Sequence, residues 1–285
     1  AQITLVEAIN LALKHEMELD SSVVVLGQDV GVDGGVFRAT LGLSERFGPE
    51  RVIDTPLAEA LIAGMAIGMA VEGLKPVAEI QFSGFAYTTI DQILNHAGRM
   101  RHRTRGRLSC PLVLRTPCGA GIHAPEHHSE SPEAMFAHIP GIRVVYPSSP
   151  RRAYGLLLAA IRDPDPVIFL EPTRLYRLFK EEVTDNGEAT SLDACFTLRE
   201  GTDVTLVSWG PMVPETLAAA ADLAEQGIAA EVLDVATLKP LDMDSILGSV
   251  ARTGRCVIVT EAPRTCSFAS EIAAGIAEEG LLSLL

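Results

Sequence analysis

The chain has few features that would tie it to common ligands. Its five cysteines, Cys110, Cys118, Cys195, Cys256 and Cys266, form no CxxC pair and are widely spaced. That argues against a zinc site or a disulfide framework and fits a reduced cytosol. Positive charge is also scarce: 23 Lys and Arg face 37 Asp and Glu, a net charge of −14. Phosphate backbones would be repelled, which argues against nucleic acid; an ordinary acidic surface of a soluble protein or docking on a basic partner both fit. No apolar run reaches membrane-spanning length. The longest candidate, Leu57–Val71, is interrupted by Glu59, Gly64 and Gly68. The N-terminus has no charged segment leading into an apolar core, so no secretory signal is visible. Several phosphate and nucleophile motifs are missing too. No GxGxxG follows the first strand, and neither GxxxxGK[ST] nor GxSxG occurs.

Apolar residues are plentiful. They make up 47% of 285 residues, and mean hydropathy is +0.24. The length suggests about two domains. The surplus of apolar surface points to subunit contacts. Short β-branched runs alternate with helical patterns. Strands are expected at Val23–Leu26, Pro76–Ile80, Leu112–Arg115, Ile142–Val145, Val167–Leu170, Val204–Ser208, Ala230–Leu233 and Cys256–Thr260. Helices are expected at Thr4–Leu19, Leu57–Glu72, Thr88–Arg103, Pro150–Arg162, Val213–Gln226, Asp242–Ala251 and Ser267–Glu279. Thr4 and Glu7 are spaced as a capping box. Several strands are apolar throughout, as in parallel sheets covered on both faces. The fold class is therefore α/β with two doubly wound domains. Leu178–Gly201 is polar and aperiodic and reads as the linker. The apolar end Leu281–Leu285, directly after a helix, suggests that a further strand and helix belong beyond it.

Three segments carry chemistry. In Asp54-Thr55-Pro56-Leu57-Ala58-Glu59, Thr55 is placed to cap a helix with Pro56 at its first position. Glu59 then sits beside a run of small apolar residues. It reads either as a half-buried acid suited to proton exchange with a ring nitrogen or as a first-turn glutamate favoured by the helix dipole. Ala60, Gly64 and Gly68 share one face of that helix, which suits close packing. Glu79–Phe85 follows a strand, where doubly wound sheets bind ligands. Phe82 and Phe85 there are either a stacking platform or core. The loop Gly119–Glu130 holds His123, His127 and His128. Adjacent loop histidines chelate zinc poorly, so acid–base work or anion binding fits better.

Taken in order, several pieces resemble the beta subunits of the decarboxylating component of 2-oxo acid dehydrogenase complexes. They are Leu26-Gly27-Gln28-Asp29-Val30, Val52–Glu59, Pro76–Phe85, His128-Ser129, Ala160-Ile161-Arg162-Asp163, Thr237-Leu238-Lys239-Pro240-Leu241-Asp242 and Val259-Thr260-Glu261-Ala262. The resemblance spans essentially the whole chain. It implies a transketolase-like pyrimidine-binding domain over 1–185, a linker over 186–200, and a truncated transketolase C-terminal domain over 201–285. It also implies thiamin diphosphate shared with an alpha subunit. The family's GDG-to-paired-asparagine motif for diphosphate and magnesium is absent here and lies on that alpha chain.

The same resemblance assigns roles. Glu59 would hydrogen-bond the aminopyrimidine nitrogen and drive the proton relay to the thiazolium carbon. Phe85 would pack on the pyrimidine, with Leu57 and Gln81 lining it. His128 would serve where the lipoyl group enters; it is chosen over His127 because it precedes Ser129. Some members bind potassium through backbone carbonyls, at positions matching Leu112, Ala160, Ile161, Asp163 and Asp165. The implied partners are an alpha subunit in a heterotetramer of two alpha and two beta chains, and a dihydrolipoyl acyltransferase core. The implied reaction is oxidative decarboxylation of pyruvate with reductive acetylation of lipoyl groups, in the cytoplasm. Three alternatives stay open: branched-chain 2-oxo acids or acetoin as substrate, a fragment of a transketolase or deoxyxylulose-phosphate synthase, and a mainly structural subunit that docks the core. The first residues look like a natural subunit start, which disfavours the fragment.

Overall fold

Two α/β lobes share one continuous core in the computed structural model, which describes all of residues 1–285. The first lobe contains β1 (Val23–Gly27), β2 (Val52–Asp54), β3 (Lys75–Glu79), β4 (Val113–Cys118), β5 (Arg143–Val145) and β6 (Val167–Pro172). The second contains β7 (Phe196–Arg199), β8 (Val204–Ser208), β9 (Ala230–Asp234), β10 (Thr237–Lys239) and β11 (Cys256–Val259). The main helices are α1 (Leu5–Leu19), α2 (Glu59–Val71), α3 (Pro150–Arg162), α4 (Val213–Glu225), α5 (Met243–Thr253) and α6 (Phe268–Glu279).

The large sheet runs β10-β5-β6-β4-β3-β1-β2, and the smaller runs β11-β8-β9-β7. All first-lobe pairings among β1–β6 are parallel. Strands β1, β4 and β6 are buried along their whole length, as two-sided helical cover requires. The doubly wound α/β class expected from the sequence is the class observed.

Thr4 caps α1 in a full capping box with Glu7, as its spacing predicts. Ser149 caps α3, with Pro150 at the first position. α1 and α3 cover one face of the large sheet, where Leu5, Ile9 and Leu13 join Leu157 and Ile161 in one core. The opposite face continues into the second lobe through Trp209, Leu233 and Phe268.

Three expectations need correction. Thr55 does not cap α2. Its N–H is held by the Gly27 carbonyl at 2.9 Å, which prolongs the strand; Ala58 is the cap and Glu59 the first helical residue. Thr88–Arg103 is not one helix. It breaks into a 3-10 turn at Tyr87–Thr89, α-helical Ile90–Gln92, a π-turn at Ile93–Ala97 and a helical turn at Met100–Arg103. Gly98, after the π-turn, lies so close to Pro140 that a Cβ would meet its carbonyl oxygen at 2.7 Å. The polar segment Leu178–Gly201 is not all linker, because β7 lies within it and pairs antiparallel with β9. Thr237–Lys239, where the sequence suggests no strand, joins the other lobe's sheet as β10, antiparallel to β5. Lys239 Nζ fastens it there, donating to the Ala137 and Ile139 carbonyls at 2.7 Å each.

Asp234 lies where the lobes meet. It is fully buried at the end of β9, and Ser148 Oγ donates to its Oδ2 while Oδ1 has no partner. Burial pushes its carboxyl up to about 6, against the pull of the Ser148 hydrogen bond and of Arg152. An acid raised in the folded state is most stabilising when protonated, so this group costs stability as pH climbs from about 4 to 6. Asp234→Asn should therefore raise stability by about 1–3 kcal/mol at pH 7.5. That gain should shrink toward zero at pH 4.5. Thermal unfolding at both pH values checks it; a gain that does not depend on pH would be wrong for this mechanism.

Candidate active site

In the large sheet, β1 connects outward to β2, whereas β3, on the other side of β1, connects onward to β4. The winding direction therefore reverses between β1 and β3, which in doubly wound sheets marks the ligand crevice beyond the carboxyl ends of the strands. Four segments meet the rim there: Gln28 after β1, Thr55–Glu59 after β2, Ile80–Phe85 after β3 and Gly119–Glu130 after β4. All first-domain residues singled out for cofactor or acid–base work lie in these segments. Gln81 spans the reversal, its Nε2 donating to the Gln28 carbonyl at 2.8 Å.

Glu59 is half-buried and opens α2, with no capping side chain before it. The free N–H groups of that first turn favour a carboxylate there. Leu57 stands exposed just ahead of it. Thr55 Oγ1 is buried without a partner. On the same helix Gly64 faces Gln92, while Gly68 faces open space.

The second wall is aromatic. Phe85 belongs to the short helix Ser83–Ala86 and stacks on His127, with ring centroids 5.2 Å apart and planes at 28°. His128 meets the edge of Phe85 at 5.8 Å and lies tilted on Phe82 at 4.1 Å. Both histidines are thus drawn to one aromatic pair, but His127 is exposed and His128 half-buried. His128 Nδ1 is 2.7 Å from the Glu126 carbonyl, which leaves Nε2 as the outward nitrogen. Gly84 makes this close approach possible: a Cβ there would come within 2.5 Å of His127 Cα. His123 lies exposed at a positive φ of 52° and joins none of these contacts.

The five carbonyl positions matched to potassium lie elsewhere. Leu112 precedes β4, Ala160 and Ile161 lie in the last turn of α3, and Asp163 and Asp165 lie between α3 and β6. Leu112 and the stretch that leads into β6 lie at the amino ends of the parallel strands, opposite the Glu59 rim. The Leu112 carbonyl accepts from Val167 N–H at 2.8 Å and that of Ala160 from Asp163 N–H at 3.4 Å, so each keeps a second lone pair. Asp163 pairs with Arg143 at 2.8 Å and Asp165 with Arg101 at 2.9 Å.

Sequence reasoning missed a buried ionic group under the crevice. Arg115, on β4, is 1% exposed and grips Glu171 on β6 through Nε at 2.6 Å and Nη2 at 3.0 Å. Its Nη1 donates to Glu79 on β3, and Tyr176 donates to Glu171. Burial raises the Glu79 carboxyl and Glu171 adds to this, while Arg115 pulls it down. The signal was there: Arg115 interrupts the apolar run of β4, and Glu79 and Glu171 stand at the ends of β3 and β6. Two further acids join the lobes. Glu133 accepts from Trp209 Nε1 at 3.4 Å, and Glu261 Oε1 from Ala120 N–H at 2.9 Å. Burial pushes the Glu133 carboxyl up, against its own backbone amide and Trp209.

The family comparisons agree with this architecture. Residues 1–178 match the family described as transketolase, pyrimidine binding domain, and residues 194–285 match transketolase, C-terminal domain. The protein named pyruvate dehydrogenase E1 component subunit beta in Bacillus subtilis (strain 168) is 48% identical over 284 residues, covering 100% of this chain and 87% of its own length. Its namesake in Acholeplasma laidlawii is likewise 48% identical, and that of Staphylococcus aureus 45%, with the same coverage. A solved structure titled "Split gene transketolase, inactive beta4 tetramer" superimposes with a TM-score of 0.80 at 24% identity, covering 98% of this chain and 86% of its own. At that identity the likeness speaks for the fold alone.

Proposed function

Because the chain belongs to the transketolase-related family of pyruvate dehydrogenase E1 beta subunits, we propose that it forms the pyrimidine side of a thiamin diphosphate site and, with an alpha subunit, decarboxylates pyruvate and acetylates lipoyl groups. The observation that carries this reading is the winding reversal and what stands around it. The segments after β2, β3 and β4 bring a half-buried carboxylate at an uncapped helix start, an aromatic ring and a histidine to the same end of the sheet. The orphaned hydroxyl of Thr55, beside that helix start, fits a site made to receive another polar group.

When bound, the cofactor supplies a carbon nucleophile and the electron sink for decarboxylation. Glu59 holds the ring nitrogen and passes a proton to and from it. Phe85 and Leu57 offer apolar contact to the pyrimidine, and Gln81 orients the rim. His128 donates a proton as the lipoyl group is acylated. Magnesium and the diphosphate fall to the alpha partner in an assembly of two alpha and two beta chains, and the acyltransferase core is the docking partner. A potassium ion at the carbonyls of Leu112, Ala160, Ile161, Asp163 and Asp165 would brace the opposite edge of the sheet, where the negative end of α3 favours a cation. The reading keeps the cytoplasmic setting expected from the sequence; no helix is long and apolar enough to cross a membrane.

Calorimetric titration with thiamin diphosphate and magnesium tests the shared site. Binding and turnover are expected only from chain co-expressed with its alpha partner. Robust decarboxylation by this chain alone would refute the proposal.

A further inference from the structure

The loop Gly119–Glu130 carries His128, and the first lobe secures mainly its far half. Gly84 N–H donates to the His127 carbonyl at 3.1 Å, and the Glu130 carbonyl accepts from Ser83 Oγ at 3.2 Å and from Gly119 N–H at 2.8 Å. The near half starts at Ala120, has no helix or strand, and is exposed from Gly121 to His123. Two side chains grip it. Ala120 N–H donates to Glu261 Oε1 at 2.9 Å, and Gly121 lies so close to Arg174 that a Cβ would come within 2.7 Å of its Cδ.

Both grips lead to the second lobe. Glu261 follows β11, and Arg174 is ion-paired to Glu215 of α4. The approach of Glu261 depends on a glycine. At Gly119, where φ is +91°, a Cβ would stand 2.6 Å from Glu261 Oε1 and 3.0 Å from the Tyr146 hydroxyl. Glu261 is only half-buried, so its carboxylate is not a core support. Burial nonetheless pushes its carboxyl up, against the pull of Ala120 N–H and Arg174. A hydrogen bond to a charged acceptor is about twice as strong as a neutral one. In a loop with so few other contacts, one such bond can decide its shape.

We propose that Glu261 is a positioning residue: through Ala120 N–H, the second lobe holds the His128 loop in the shape that lipoyl acylation needs. This rests on the role given to His128 above. It predicts that the two half-reactions come apart. Decarboxylation needs the proton relay of Glu59; transfer to the lipoyl group also needs the shape of the loop.

The test uses the tetramer reconstituted with its alpha partner. Pyruvate decarboxylation is followed with ferricyanide as oxidant, and reductive acetylation with a free lipoyl domain. Glu261→Ala is expected to lower kcat/KM for the lipoyl domain about tenfold while oxidant-linked decarboxylation stays within about twofold. Glu261→Gln keeps an acceptor oxygen and should stay within about threefold of wild type in both assays. Amide exchange at Ala120 should speed up in the alanine variant but not in the glutamine one. Glu261→Ser, too short to reach Ala120, must show the same split as alanine and serves if the alanine variant does not assemble. Equal loss in both half-reactions, unchanged lipoyl transfer, or glutamine as poor as alanine would each overturn the proposal. A wild-type tetramer inert toward pyruvate would refute the function itself. Normal lipoyl transfer by His128→Ala would refute the role of that histidine, and with it this inference.

Discussion

Glu59→Gln in the assembled enzyme should lower pyruvate decarboxylation by about 10²–10⁴-fold, the usual span for losing a positioned proton-transfer group. Glutamine keeps the length and shape of the side chain but cannot take up and return a proton. The structural side effect should be small. Glu59 is the first residue of α2 and is half-buried, so the substitution removes one favourable charge–dipole contact, about 0.3–1 kcal/mol. Stability and assembly should therefore survive while turnover does not. Ferricyanide-linked kcat on tetramer purified by size exclusion reads the first, and a thermal melt of the same sample the second. Turnover within about tenfold of wild type would remove Glu59 from the proton relay. A melt lowered by many degrees would make the lost activity uninformative.

The regular part of the fold was legible because its physics is local. Val23–Leu26 and Val167–Leu170 are apolar runs, Val204–Ser208 is a short run rich in β-branched residues, and α1 and α3 carry caps and apolar stripes in plain order. The irregular parts depend on contacts made at a distance. Thr55 has the identity of a helix cap, but the Gly27 carbonyl claims its N–H and keeps the chain extended. The π-turn at Ile93–Ala97 precedes Gly98, whose surface is taken up by Pro140 and Gly141, more than forty positions downstream. β10 has three residues, too few for a periodic signal, and its partner β5 belongs to the other lobe.

The site divides in the same way. Glu59, Gln81, Phe85 and His128 could be named because each stands in a short segment that resembles its family. Their grouping follows from strand order, since the loops after β1–β4 open on one rim whatever their sequence. What supports those loops left a fainter trace. Glu261 is one acid in a short polar stretch, and nothing near it in sequence points to Ala120. Arg115, Glu79 and Glu171 lie on three strands far apart in sequence, and only the sheet order β6-β4-β3 brings the three together.

Arg115→Met should destabilise the folded chain by about 3–5 kcal/mol, the range seen when one member of a buried ion pair is removed. Methionine fills similar space, so the loss reports on charge rather than on a cavity. With the guanidinium gone, Glu79 and Glu171 face each other at 3% and 0% exposure with no cation between them. At least one must then hold a proton at neutral pH, because two buried like charges cannot both stay ionised at reasonable cost. This fixes the sign of the pH dependence. Burial already raises the Glu79 carboxyl, and losing Arg115 removes the pull that opposes this, so the variant's deficit against wild type should be large at pH 7.5 and shrink as pH falls toward 5. Adding Glu79→Gln and Glu171→Gln removes the stranded charges and should recover more than half of the loss. Urea unfolding at the two pH values, on wild type and both variants, measures all three expectations. A loss below about 1 kcal/mol would mean that the guanidinium is not what makes those carboxylates tolerable under the crevice. A deficit that grows in acid would mean that the carboxyls are not the groups it compensates.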